Sequence, residues 1–206
     1  MATLSVHGLT LEAGQRVGLL GGSFNPAHAG HAHVAETALR RLGLDRVVWL
    51  VSPQNPLKDA SESAPLAERM ASAQAVATDP RMIVSDFESR ADTQYTVDTL
   101  RALKAAHPGV RFVWLMGSDN LSQVHRWRDW EAIFETVPVA VVPRPGARGA
   151  SRWSPAARRF ASARIPASEA RTLADRSPPA WVYLKAPMNP LSSTAIRAGR
   201  SAALAK

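Results

Sequence analysis

Short apolar runs alternate with helix-patterned segments along most of this chain, and that alternation limits the folds open to it. Arg16 to Leu20, ending in Gly21-Gly22, is a buried-type strand followed by a tight turn. Val47 to Val51, Met82 to Val84, Val110 to Met116, Val137 to Val142 and Trp181 to Leu184 repeat the pattern. Helical spacing appears between them. Val34, Ala38, Leu39 and Leu42 share one face, with Gly43 where a C-cap belongs. Pro65 to Thr78 and Thr96 to Ala106 are further helices, and a short one closes the chain over 193–199. Strands that are apolar nearly throughout belong in a parallel sheet covered on both faces. The fold class is therefore α/β, a doubly wound parallel sheet. Ligands of such sheets bind beyond the carboxyl ends of the strands, where strand order reverses.

The 206 residues make one domain, 1–206, large enough to bury roughly 70% of the unfolded chain's surface. Cysteine is absent, which excludes disulfide scaffolds, thiolate metal sites and thiol nucleophiles. No apolar run reaches the ~20 residues that cross a bilayer. Met1 to Arg16 lacks the basic-then-apolar plan of a signal peptide. A cytoplasmic protein with no membrane partner is the expectation. Lys and Arg exceed Asp and Glu by 25 to 17, a net +8. Six of those eight charges fall in an Arg- and Pro-rich insertion at 144–180, where eight Arg face only Glu169 and Asp175. A solvated surface insertion is the expected state of such a run, and a rim that attracts polyphosphate is the alternative.

Two loops carry chemistry. Gly21-Gly22-Ser23-Phe24-Asn25-Pro26-Ala27-His28-Ala29-Gly30-His31 has neither the spacing of a dinucleotide fingerprint nor the Lys of a Walker loop. It does have paired glycines, for close approach of backbone N–H groups to an anion, and it runs into a helix N-terminus. His28 and His31 lie three apart, on neighbouring surface of the first turn. A zinc site would need a third ligand that the loop lacks. Helix-capping histidines are a second reading, and phosphate-binding donors a third, favoured by the glycines upstream. His33 points elsewhere. The last loop, Met188 to Arg197, places Ser193 and Thr194 at a helix start with Arg197 one turn in. Alone it is an N-cap as readily as a phosphate cradle. Beside the first loop, the phosphate reading prevails.

Gly-Gly-Ser-Phe-Asn-Pro-x-His-x-Gly-His and Leu-Ser-Ser-Thr-Ala-Ile-Arg together resemble the HxGH nucleotidyltransferase superfamily. Within it, Ser52 to Lys58, the Tyr95-Thr96-x-Asp98-Thr99 segment, Gly117-Ser118-Asp119 and Trp127 are similar to bacterial nicotinate-nucleotide adenylyltransferases. Asn25 stands where many members carry Asp, and Leu191 where Ile is usual. The resemblance implies a Rossmann-like nucleotidyltransferase fold. It also implies adenylyl transfer from ATP to nicotinate mononucleotide, giving deamido-NAD and pyrophosphate, with Mg²⁺ arriving on ATP and no dedicated metal site. His28, His31 and Arg197 would be catalytic. ATP would lie against Gly21, Gly22, Ser23, Phe24, His28, His31, Gly117, Asp119, Ser193, Thr194 and Arg197, with Asp119 on the ribose. Ser23, Lys58, Thr96 and Trp127 would hold the mononucleotide. There, backbone N–H groups near Thr96 and Trp127 face its carboxylate, and the indole stacks on the pyridine. Tyr95 and Asp98 would brace that loop. A sister enzyme acting on nicotinamide mononucleotide or phosphopantetheine, or a cytidylyltransferase, is the near alternative. A basic nucleic-acid-binding module is the distant one; no nucleic-acid partner is expected, and monomer or homo-oligomer is left open.

Overall fold

The computed structural model describes residues 3–53, 63–145, 151–187, 191, 193 and 196. A hairpin, β1 (Thr3–Val6) and β2 (Leu9–Glu12), precedes the main sheet and turns through His7 and Gly8, both at positive φ. Its polar-apolar alternation buries Leu9 and Leu11. The sequence reading assigned this hairpin to no element.

The main sheet has seven strands, and every registered pair is parallel. They are β3 (Arg16–Gly22), β4 (Arg46–Val51), β5 (Met82–Ser85), β6 (Arg111–Gly117), β7 (Val139–Val142), β8 (Arg164–Ile165) and β9 (Trp181–Tyr183). Their order is β5-β4-β3-β6-β7-β9-β8, so the chain winds one way from β3 and then returns to the other side through β6. The switch point lies between β3 and β6.

Both faces of the sheet are covered. Along β6, Val113 and Leu115 join one core with α1 (Ala29–Leu42), while Phe112, Trp114 and Met116 join the other with α4 (Thr96–Ala106). This is why the strands read as continuous apolar runs: alternate residues face opposite layers, and each layer is dry. Helix α1 ends at Gly43, whose φ of 66° is the left-handed conformation a C-cap requires and a side chain resists. Helix α2 (Leu66–Val76) and a single turn, α3 (Phe87–Arg90), flank β4 and β5. Two short helices, α5 (Ser118–Gln123) and α6 (Trp130–Thr136), complete the crossover from β6 to β7.

The Arg-rich stretch is not the solvated insertion its charge implied. Helix α7 (Pro155–Arg159), strand β8 and a 3₁₀ segment over Ala167–Asp175 bury Ala156, Phe160, Ile165, Ala170, Leu173 and Ala174. The Trp181 indole donates to the Phe160 carbonyl at 2.7 Å. Asp175 pairs with both Arg16 and Arg111, at 2.7 and 2.6 Å, where β3 and β6 begin. The arginines are on the outside of an element whose inner face closes the sheet. Leu173→Ala should therefore cost about 2–5 kcal/mol, the range for a fully buried leucine, in denaturant unfolding. A loss within about 0.5 kcal/mol, as for a surface site, would return the segment to decoration.

Candidate active site

The parallel strands carry their carboxyl ends to one rim of the sheet, and the first and last loops of the sequence meet there. The Ser193 hydroxyl donates to the Pro26 carbonyl at 3.0 Å. A Cβ on Gly30 would lie 2.8 Å from the His28 ring and 3.0 Å from the Leu191 carbonyl oxygen. Glycine at position 30 is thus what lets the C-terminal loop and the His28 ring close on the start of α1. Gly21 has a different cause: the Trp114 ring fills the space its side chain would take. Its lack of a side chain makes room for packing beneath the loop.

His28 and His31 cap α1 reciprocally. The Gly30 N–H donates to His28 Nδ1 at 3.0 Å, and the His28 N–H donates to His31 Nδ1 at 3.2 Å. This is the plan of a capping box, with imidazoles in place of hydroxyl and carboxylate. The capping and phosphate-donor readings are therefore compatible. With Nδ1 accepting on both rings, each neutral imidazole carries its proton on Nε2, and neither Nε2 has a partner among the described residues. The rings lie 3.9 Å apart between centroids. Burial, and secondarily Arg144, pushes the His28 pKa down to about 4. Burial, then His28 and Arg144, pushes His31 down to about 3. Both are neutral at physiological pH. Phe24 holds a left-handed φ of 46°, buried between Trp49 (5.2 Å between centroids) and His31 (4.9 Å). Such a residue stores on the order of 1–3 kcal/mol of backbone strain, paid here by the surrounding core.

Arg144, the residue after β7 and Pro143, is a site residue that sequence reasoning counted only as one charge in a run. Its guanidinium donates to the Leu191 carbonyl at 2.6 Å and lies 3.7 Å from the Asp119 carboxylate. Its backbone N–H is held at 2.8 Å by the buried Ser118 hydroxyl. The available signal was position: it is the first cation beyond the carboxyl end of a strand. Asp119 is exposed and is the second residue of α5, whose N-cap is Gly117 without a side-chain bond.

Two of the segments expected to hold the acceptor, at Thr96 and Trp127, meet. The Arg128 guanidinium lies 4.5 Å above the Tyr95 ring, joining the Trp127 loop to the start of α4. No side chain caps α4, which leaves the N–H groups of Thr96 and Val97 open at a helix N-terminus. Trp127 is half-buried, and its N–H closes a 3₁₀ turn on the Val124 carbonyl at 2.9 Å. That N–H already has a backbone acceptor. Asp98 pairs with Arg101 at 3.5 Å. His33 bonds the Pro187 carbonyl at 2.8 Å, away from the pair. Lys58, Thr194 and Arg197, and most of the closing helix, lie outside the described residues.

Among the described residues no group of three His, Asp or Glu side chains could hold a metal, and no helix is long and apolar enough to cross a membrane. The donors gathered at the rim are N–H groups and a guanidinium, a set suited to anions.

Known proteins agree with this geometry. The cytidylyltransferase-like family matches residues 19–199. A Caulobacter sp. (strain K31) protein named "Probable nicotinate-nucleotide adenylyltransferase" is 63% identical over 182 residues, covering 88% of this chain and 96% of its own. A relative of the same name from Methylorubrum extorquens is 57% identical, covering 88% and 98%. The Plasmodium falciparum nicotinic acid mononucleotide adenylyltransferase complexed with NaAD shares the fold at a TM-score of 0.67 and 15% identity, over 89% of this chain and 83% of that one. The chain belongs to the cytidylyltransferase-like family and, within it, to the nicotinate-nucleotide adenylyltransferases.

Proposed function

We propose that the chain acts as a single nucleotidyltransferase domain in the cytoplasm and that the rim described above is where it acts. The reaction is adenylyl transfer to nicotinate mononucleotide in NAD biosynthesis. A 5′-phosphate oxygen of the mononucleotide forms a bond to the α-phosphorus of ATP as the bond from that phosphorus to the bridging oxygen breaks, and pyrophosphate leaves with that oxygen. No protein nucleophile takes part, so the residues bind, orient and stabilise charge.

The observation that carries this reading is the reciprocal cap. It leaves two neutral Nε2–H donors without a partner among the described residues at a helix N-terminus, where the dipole favours phosphate. Arg144 adds a fixed positive charge beside them. His28 and His31 serve the oxygens that gain charge at the α-phosphorus. Gly21 to Phe24 line the site through their backbone, Ser193, Thr194 and Arg197 hold the outer phosphates, and Gly117 and Asp119 receive the ribose. The Asp119–Arg144 pair links ribose recognition to the phosphates. Ser23, Lys58, Thr96 and Trp127 hold the mononucleotide. Mg²⁺ carried on the triphosphate would neutralise phosphate charge. Asp119 also lies 3.7 Å from the Arg144 guanidinium.

Pyrophosphate release from ATP should be rapid with nicotinate mononucleotide and slow with nicotinamide mononucleotide or phosphopantetheine; rapid release with another acceptor alone would reassign Thr96 and Trp127. Trp127→Ala should weaken mononucleotide binding by about 1–3 kcal/mol, the worth of one aromatic stack, while sparing ATP, as read by calorimetry. Equal loss for both ligands would remove the stacking role. His31→Gln separates chemistry from capping, since Gln at the third helical position preserves the box. Turnover should fall about 10²–10³-fold, as for loss of a transition-state donor. The same variant has a signature in stability. Both histidines titrate in the folded state below the 6.5 of an unfolded chain. Below pH 6.5 the unfolded chain binds protons that the folded one refuses, so stability falls as pH falls from 6.5 toward 4. His31→Gln should flatten that decline in the melting temperature and leave the pH 8 value near that of the wild type.

A further inference from the structure

Arg69 is a buried cation with no carboxylate partner among the described residues. It sits on the first turn of α2, 3% exposed. Its Nε donates to the Ala64 carbonyl at 2.9 Å, and Nη2 to Pro53 at 2.8 Å. Its Nη1 donates to both Ser23 and Ser52, at 2.9 and 2.6 Å. Burying a guanidinium is costly unless its N–H groups are satisfied, and here four backbone carbonyls satisfy them in the plane of the fork. A lysine, with three donors on one atom, could not reach all four. The carbonyls belong to the exits of β3 and β4 and to the entry of α2, so one side chain sets the spacing of adjacent strand-end loops.

Glu88, 5% exposed on α3, performs a related task. Its Oε1 accepts from the Thr99 hydroxyl at 3.1 Å, and the Ser52 hydroxyl bonds the same carboxyl. The Thr99 hydroxyl also lies 3.0 Å from that of Thr93 and 3.2 Å from the Tyr95 carbonyl. Burial raises the Glu88 pKa and the two hydroxyls draw it partly back. Ser52 is thus gripped twice, by its carbonyl from α2 and by its hydroxyl from α3. The network runs onward into the first turn of α4.

We infer that Arg69 and Glu88 are positioning residues for the acceptor half of the active site, setting the loops at 23, 52–53 and 95–99 in the arrangement that receives the mononucleotide. The inference rests on the acceptor site proposed above. Among the described residues none of the hydrogen bonds of either residue reaches His28, His31, Asp119 or Arg144; of the stretch that lines the ATP half only the Ser23 carbonyl is held, by Arg69. A displacement of a few tenths of an ångström to 1 Å in those loops would act on acceptor KM and leave ATP KM in place.

The test is a steady-state comparison of Arg69→Lys, Arg69→Met, Glu88→Gln and Glu88→Ala with the wild type, varying each substrate in turn. Melting temperature and circular dichroism are recorded alongside. Wild-type pyrophosphate release that depends on nicotinate mononucleotide establishes the functional reading by itself; were another acceptor used, the same comparison would be made with it. Arg69→Met and Glu88→Ala should raise acceptor KM by about 10–100-fold, the scale of a 1 Å misplacement, with ATP KM within about twofold. Glu88→Gln, which keeps shape and hydrogen bonding, should recover most of the Glu88→Ala loss. Arg69→Lys should fall between wild type and Arg69→Met, and with Glu88→Gln it supplies the comparison if the larger truncations do not fold. Folded variants whose two KM values rise together, or do not move, would overturn the inference and leave both residues with a purely structural role.

Discussion

Two imidazoles close the first turn of α1, each accepting an N–H that the helix would otherwise present without a partner. The bonds do more than end a helix. By occupying Nδ1 on both rings they fix the tautomer, and by holding the rings 3.9 Å apart in a dry setting they make a second positive charge there unfavourable. The pair is therefore neutral, with its tautomers already set. In the proposed reaction no reorganisation of protons would precede phosphate binding, which is the condition under which fixed dipoles stabilise developing charge most effectively. A serine and a glutamate could cap the helix equally well, but would offer a carboxylate to an anion.

The sheet's winding brings the remaining parts to these rings. Since β3 and β6 are adjacent while the chain leaves them in opposite directions, the crevice at their carboxyl ends is open, and loops from β7 and β9 lean over it. Arg144 acts as the joint. Its backbone is held by buried Ser118 and its guanidinium by Leu191, with Asp119 close by, so three loops share one side chain. The result is a division of labour in electrostatics: the histidines contribute neutral donors, and positive charge comes from a guanidinium beside them.

Much of this was legible in the sequence because parallel strands buried on both faces leave an unmistakable signature of uninterrupted Val, Leu, Ile and aromatic runs. That the first and last loops carry the candidate site was legible for a similar reason, both being dense in residues whose physical uses are few. Arg69, Glu88 and Arg144 were not. A guanidinium that bonds four carbonyls and one that faces water are the same letter in a helical segment, and what separates them is the loops that fold over it. The β1–β2 hairpin was overlooked although its signal was present, in the alternation of Leu9, Thr10, Leu11 and Glu12 after the two-residue turn His7-Gly8. Gly21 is the converse case, a residue noticed for one reason to which the packing of Trp114 adds a second.

The Arg-rich segment shows why net charge is a weak guide to burial. Charge adds along a stretch without regard to direction, whereas burial depends on which side of each element a residue occupies. In 164–180 the apolar residues Ile165, Ala170, Leu173, Ala174 and Ala180 are buried, while Arg171 and Arg176 between them are exposed. The charges are also partly consumed in structure. Arg159 pairs with Glu131, and Arg176 with Glu169. Arg152 and Arg164 lie over the rings of Tyr183 and Trp181, at 5.2 and 5.3 Å, where long side chains cover aromatic surface at the end of the sheet. A segment with half the charge and the same apolar spacing would serve the sheet as well. Its basicity is therefore a property of the surface it presents, while its place in the fold follows from the few small and branched residues between the arginines.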